Sequence, residues 1–106
     1  MQLRSTICAL ATPPGEGGIA VVRLSGPDAY PIAAKVFAPI HKEKSVLEAK
    51  GYTALFGHYL LDGQEMDETV ALFYRAPRSY TGEDVVELSV HGGSAMADGL
   101  QQALIA

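Results

Sequence analysis

At 106 residues the chain is long enough for one domain with one core and too short for two. A hydrophobic fraction of 48% and a charged fraction of 19% exclude a disordered protein. The net charge of −4 excludes the broad basic surface that an RNA-gripping domain needs, so any RNA is expected to be held elsewhere.

Met1 to Arg4 lacks a signal-peptide pattern, and no apolar run approaches ~18 residues, so neither an export signal nor a membrane span is expected. Thr6 to Ala11 is a short apolar strand, stopped by Thr12-Pro13-Pro14-Gly15 because consecutive prolines cannot donate to a sheet ladder. Its lone thiol, Cys8, has no partner for an internal disulfide, which fits a reducing cytoplasm, and no histidine nearby in sequence to activate it. A buried structural cysteine is expected. Ile19 to Leu24 is β-branched and nearly all apolar, the pattern of a strand buried on both faces, with Arg23 as its charged interruption. Ser25-Gly26-Pro27-Asp28 is a turn with Pro27 at the first helical position, and Ala29, Ala33, Val36 and Phe37 then recur at helical spacing, predicting a helix to about Ala38.

His41 to Lys50 has no clear period and is expected to be a solvated connection. Tyr52 to Leu61 and Thr69 to Tyr74 read as strands joined through the Asp62-Gly63 turn signal into an antiparallel hairpin. Arg75 to Gly82 is a loop and Val85 to Val90 a strand. Met96, Leu100 and Leu104 form the stripe of a last helix, which runs to the end of the sequence without a cap, as a truncated chain would. The expected fold is α+β, a mixed β-sheet of about five strands with helices packed on one face.

Gly15-Glu16-Gly17-Gly18-Ile19-Ala20 formally matches the dinucleotide fingerprint G-x-G-x-x-A, but that fingerprint works only if a helix follows, and Ile19 to Leu24 is a strand by composition. No G-K-[ST] loop follows either, so no GTP site is expected in this stretch. Arg23 poses a sharper question, since a charge in a buried strand must be paired. It forms a structural salt bridge, or it aims its guanidinium at a ligand carboxylate or carbonyl. Glu87 poses the same question: alternation places Val85, Glu87 and Ser89 on one face, and Glu87 is solvent-facing, a ligand acceptor, or the partner of Arg23. His91-Gly92-Gly93 precedes a helix, where free N–H groups favour anions, but one histidine is weak evidence for chemistry; His41 and His58 have no partners at ligand spacing, so no metal site is expected. Tyr74, Arg75, Arg78 and Tyr80 interleave rings and charge around one loop, the makings of an interface or ligand rim.

Two long motifs carry a resemblance. Thr6-Ile7-Cys8-Ala9-Leu10-Ala11-Thr12-Pro13-Pro14-Gly15-Glu16-Gly17-Gly18-Ile19-Ala20-Val21-Val22-Arg23-Leu24-Ser25-Gly26 resembles the opening of the MnmE (TrmE) family of bacterial tRNA-modifying GTPases. Ser79-Tyr80-Thr81-Gly82-Glu83-Asp84-Val85-Val86-Glu87-Leu88-Ser89-Val90-His91-Gly92-Gly93 resembles a second family segment, in the family's order. Where the family often carries a basic residue this chain has Glu16, which argues against a phosphate role for that loop. The resemblance implies that residues 1–106 are an N-terminal tetrahydrofolate-binding and dimerisation domain, similar in fold to the folate-binding domains of one-carbon enzymes. It implies 5-formyltetrahydrofolate or a related folate as ligand, contacted at the positions of Arg23 and Glu87, with a third contact, a lysine, beyond Ala106. It further implies a cytoplasmic homodimer that supplies a one-carbon unit for the tRNA wobble uridine together with the flavin-dependent partner MnmG. GTP, magnesium and potassium would belong to a separate GTPase domain, and tRNA mainly to other domains.

Overall fold

The structure, a computed structural model, describes residues 6–11, 18–79, 81–91 and 93–105, and for 93–95 the backbone alone. The glycine-rich stretch from Gly15 to Gly17, Tyr80 and Gly92 lie outside the described residues. Eight elements follow in order: β1 (Ile7–Leu10), β2 (Ile19–Ser25), α1 (Ala29–Val36), β3 (Phe37–Pro39), β4 (Thr53–Leu61), β5 (Gln64–Tyr74), β6 (Val85–His91) and α2 (Gly93–Ile105). The strands form one sheet in the order β1-β2-β6-β5-β4-β3. The α+β class is as expected, with six strands rather than about five. Every pairing is antiparallel, so the sheet is not mixed.

The additional strand is β3. Helical spacing continues through Phe37 and Ala38, yet α1 ends at Val36 and the chain turns extended, pairing Phe37 with Tyr59 and Pro39 with Gly57. Tertiary pairing overrides local period here because Phe37 gains a buried place in the core as a strand residue. Pro27 sits in the turn rather than in the helix, and Asp28 is the N-cap; Pro31, in the first turn, removes an N–H that has no intrahelical acceptor in any case. The Asp62-Gly63 turn is as expected, with φ of 52° and 81°, the left-handed pair that a two-residue hairpin loop requires. β5 begins at Gln64, five residues before its apolar run.

Both helices cover the same face of the sheet: α2 packs on β1, β2 and β6, and α1 on β2, β3, β4, β6 and α2. On that face Ala20, Val22 and Leu24 of β2 meet Val86, Leu88 and Val90 of β6, followed by Ala71 and Phe73 of β5 and Tyr59 of β4. The Tyr30 ring of α1 packs at a tilt against Phe73, 5.3 Å between centroids, and Leu100 and Leu104 of α2 close the layer. β2 is therefore buried on one face, not both. Ile19, 57% exposed, and the half-buried Val21 and Arg23 alternate onto the opposite face, which no helix among the described residues covers. Among the described residues no helix is long and apolar enough to cross a membrane.

Candidate functional site

Arg23 of β2 and Glu87 of β6 stand directly opposite one another in the ladder, on the face without helices. Arg23 Nε donates to Glu87 Oε2 at 2.7 Å, and Nη2 approaches the same oxygen at 2.6 Å. The Glu87 side chain is 10% exposed and that of Arg23 35%, so the carboxylate sits in the sheet surface while the guanidinium reaches toward solvent. Of the alternatives the sequence leaves open for these two residues, the structure realises their pairing with each other. A carboxylate has about four lone-pair sites, and both Arg23 contacts fall on Oε2, so Glu87 retains acceptor capacity for a third molecule. Arg23 also fixes the orientation of Glu87, which preorganises an acceptor in a nearly buried setting.

Apolar side chains and two serines, Ser25 and Ser89, surround the pair on this face. In register across the same face, Arg23, Glu87, Leu72 and Ala54 form one row, and Val21, Ser89, Val70 and Phe56 the next. Val70 is 40% and Phe56 44% exposed. Toward Gly26 the face is closed by the loop after β5. There Ser25 Oγ lies 2.7 Å from Thr81 Oγ1 and donates to Glu83, over a fully buried Val85.

That loop separates its two arginines. Arg75 lies over the Tyr30 ring at 3.7 Å, donates through Nε to the Ala49 carbonyl at 3.0 Å and through Nη2 to the Leu47 carbonyl at 2.7 Å, and pairs with Asp84 at 3.5 Å. It is a structural clasp that ties the 41–50 connection to the core, not part of a rim. Burial raises the Tyr30 hydroxyl above the usual phenol range, opposed by the Arg75 charge and aided by Asp84. Arg75→Lys is expected to lower stability by about 1–2 kcal/mol, because an ammonium cannot stack on the ring and fork to two carbonyls together. Thermal unfolding of the variant checks this. Arg78, by contrast, makes no ion pair among the described residues.

The remaining candidates resolve plainly. His91 donates its backbone N–H to Asp67 and places Nδ1 3.3 Å from the same carboxylate. His58 faces Glu65 at 3.8 Å and His41 faces Glu43 at 4.0 Å. Among the described residues no group of three or more metal-ligating side chains converges. Cys8 is free and half-buried, and burial raises its thiol. Residues 19–25, directly after Gly18, are a strand, so the helix that a dinucleotide fingerprint requires is not there.

Comparison with known proteins decides the family. The family model described as GTP-binding protein TrmE N-terminus matches residues 6–106. The chain belongs to the TrmE N-terminal family. Relatives named tRNA modification GTPase MnmE include those of Chlamydia abortus, 50% identical over all of this chain, and Roseiflexus castenholzii, 48% identical over all of it. That of Parabacteroides distasonis is 45% identical over 95% of the chain. The matches cover 23%, 22% and 22% of those relatives, so the chain spans about a fifth of their length. Membership of the TrmE N-terminal family thus places this fold at the head of a longer GTPase in its relatives.

Proposed function

We propose that this chain is the reduced-folate-binding and self-associating domain of a cytoplasmic GTPase that modifies the wobble uridine of tRNA. The observation that carries the reading is the Arg23–Glu87 pair on the sheet face opposite the described helices, with its nearly buried carboxylate held in place by the guanidinium. The amino-pyrimidinone edge of a pterin presents one acceptor beside two donors. Glu87 accepts the two donors, and Arg23, still paired, donates to the carbonyl. 5-Formyltetrahydrofolate, as one-carbon donor, suits this edge, and a lysine further along a longer chain would add a contact.

Self-association buries the same face. Phe56, Val70 and Ile19 are exposed apolar residues there, and a two-fold dimer uses one such patch twice. tRNA contacts, the flavin-dependent partner MnmG, and GTP with magnesium and potassium belong in this proposal to other domains of the full protein. The test is a calorimetric titration of the chain with 5-formyltetrahydrofolate beside ATP, GTP and NAD, with light scattering on the same samples. Saturable binding of folate alone, by a dimer, is the expected result. Binding of GTP in the micromolar range, or no folate binding at all, overturns the proposal.

A further inference from the structure

Two cavities flank an aromatic pair beside the candidate site. One of about 340 Å³ is lined by Tyr52, Tyr74, Arg78 and Ser79, and a second of about 240 Å³ runs along Tyr52, Ala54, Leu72 and Tyr74. Leu72 is in register with Glu87, and Tyr74 lies two residues further along β5 on the same face, opposite Val85. The second cavity is thus a groove leading from the Arg23–Glu87 row toward Arg78. From the strand geometry, Tyr74 stands about 8 Å from Glu87 along this path.

The aromatic pair is built in an unusual way. Tyr52 is 72% exposed and holds φ of 59°, a left-handed backbone that non-glycine residues seldom adopt. Its ring meets Tyr74 edge-on, 6.0 Å between centroids at 83°. A hydrophobic ring held out of the core in an uncommon backbone state, next to a groove, is suited to cover a planar ligand group. Arg78, whose neighbour Arg75 is committed to the core, adds a cation at the far end.

We infer that this groove holds the tail of the folate, with the Tyr52–Tyr74 pair against the aminobenzoyl ring and Arg78 at the glutamate carboxylates. The inference rests on the folate reading of Arg23 and Glu87 and adds a second anchor to it. A pterin seated at Glu87 directs its methylene-amine linker along the groove, and the carboxylates then reach the end lined by Arg78. No change in the groove's covalent chemistry is involved; the contribution is affinity and choice of tailed over tail-less pterins.

The test titrates the full chain, as wild type, Tyr52→Ala and Arg78→Ala, with 5-formyltetrahydrofolate, with tail-less 6-methyl-5,6,7,8-tetrahydropterin and with a short single-stranded RNA. Wild type is expected to bind the folate roughly tenfold more tightly than the pterin, and each variant to lose roughly 3- to 10-fold in folate affinity with pterin affinity within about twofold of wild type. Tyr52 is largely exposed, so its variant should melt with wild type. The wild-type comparison of the two ligands stands even if a variant does not fold. Equal wild-type affinity for both ligands overturns the inference and leaves the folate site standing. So do variants that bind folate as tightly as wild type, or that lose only RNA binding. Wild type that binds neither pterin nor folate overturns both the site and its tail groove.

Discussion

Gly57→Ala is expected to lower the melting temperature by about 10–20 °C, a loss of about 2–4 kcal/mol in a chain of this size. A Cβ at position 57 falls 2.1 Å from the Ala38 carbonyl oxygen and 2.8 Å from Phe37 Cζ. The first of these is backbone, so no rotamer change relieves it. To admit the methyl group β3 must move off β4, and with it Phe37, which is 3% exposed in the core. Gly99→Ala is the matched control. Among the described residues its Cβ meets only the Tyr59 hydroxyl at 3.8 Å, within α2, where alanine favours the helix by up to about 1 kcal/mol. Thermal melts of both variants should therefore move in opposite directions. A Gly57→Ala protein that melts within about 2 °C of wild type would contradict the close β3–β4 approach.

The second large effect concerns Glu87. Glu87→Gln keeps the shape of the side chain and removes its charge, leaving Arg23 facing a neutral amide. Stability should fall by about 1–2 kcal/mol, since the pair is half-buried rather than fully desolvated. Affinity for 5-formyltetrahydrofolate should fall far more, roughly 10- to 100-fold, because an amide accepts through one atom and turns a donor toward the donor edge of the pterin. Arg23→Lys should weaken binding as well, a point charge being a poor substitute for a planar fork. Melting temperature and folate affinity, measured on the same preparations, separate ligand loss from fold loss. A variant that melts early yet binds folate as tightly as wild type would mark the pair as purely structural.

How far these residues were legible in the sequence depends on the range of the interaction that places them. Alternation along Val85 to Val90 sets Glu87 on the face away from Val86, Leu88 and Val90, and the turn at Asp62-Gly63 follows from backbone chemistry alone. Arg23 and Glu87 stood out because each is a charge inside an apolar run. Their pairing spans 64 positions and depends on β2 lying beside β6, which no local pattern encodes, so mutual pairing and ligand contact both remained open. β2 looked buried on both faces because Ile19 and Val21 are apolar; two helices cover only one side of the sheet, and composition cannot say which side. Helical period runs past Val36 because Phe37 and Ala38 continue it; the burial of Phe37 in the core, with the close approach that Gly57 permits, accounts for the switch to a strand. Arg75 and Arg78 are three positions apart in one loop. Which of them reaches Tyr30 is decided by the path of the chain across the core.

The central claim is that Glu87, held by Arg23, is the acceptor for a reduced pterin. The most direct measurement is the Arg23 Nε–H resonance, observed by NMR while 5-formyltetrahydrofolate is added to saturation. Because that proton is donated to Glu87 Oε2, a pterin edge arriving at the same carboxylate should shift the signal in a saturable way, and Glu87→Gln should abolish the response. Saturated folate binding with the Arg23 signal unmoved would contradict the account.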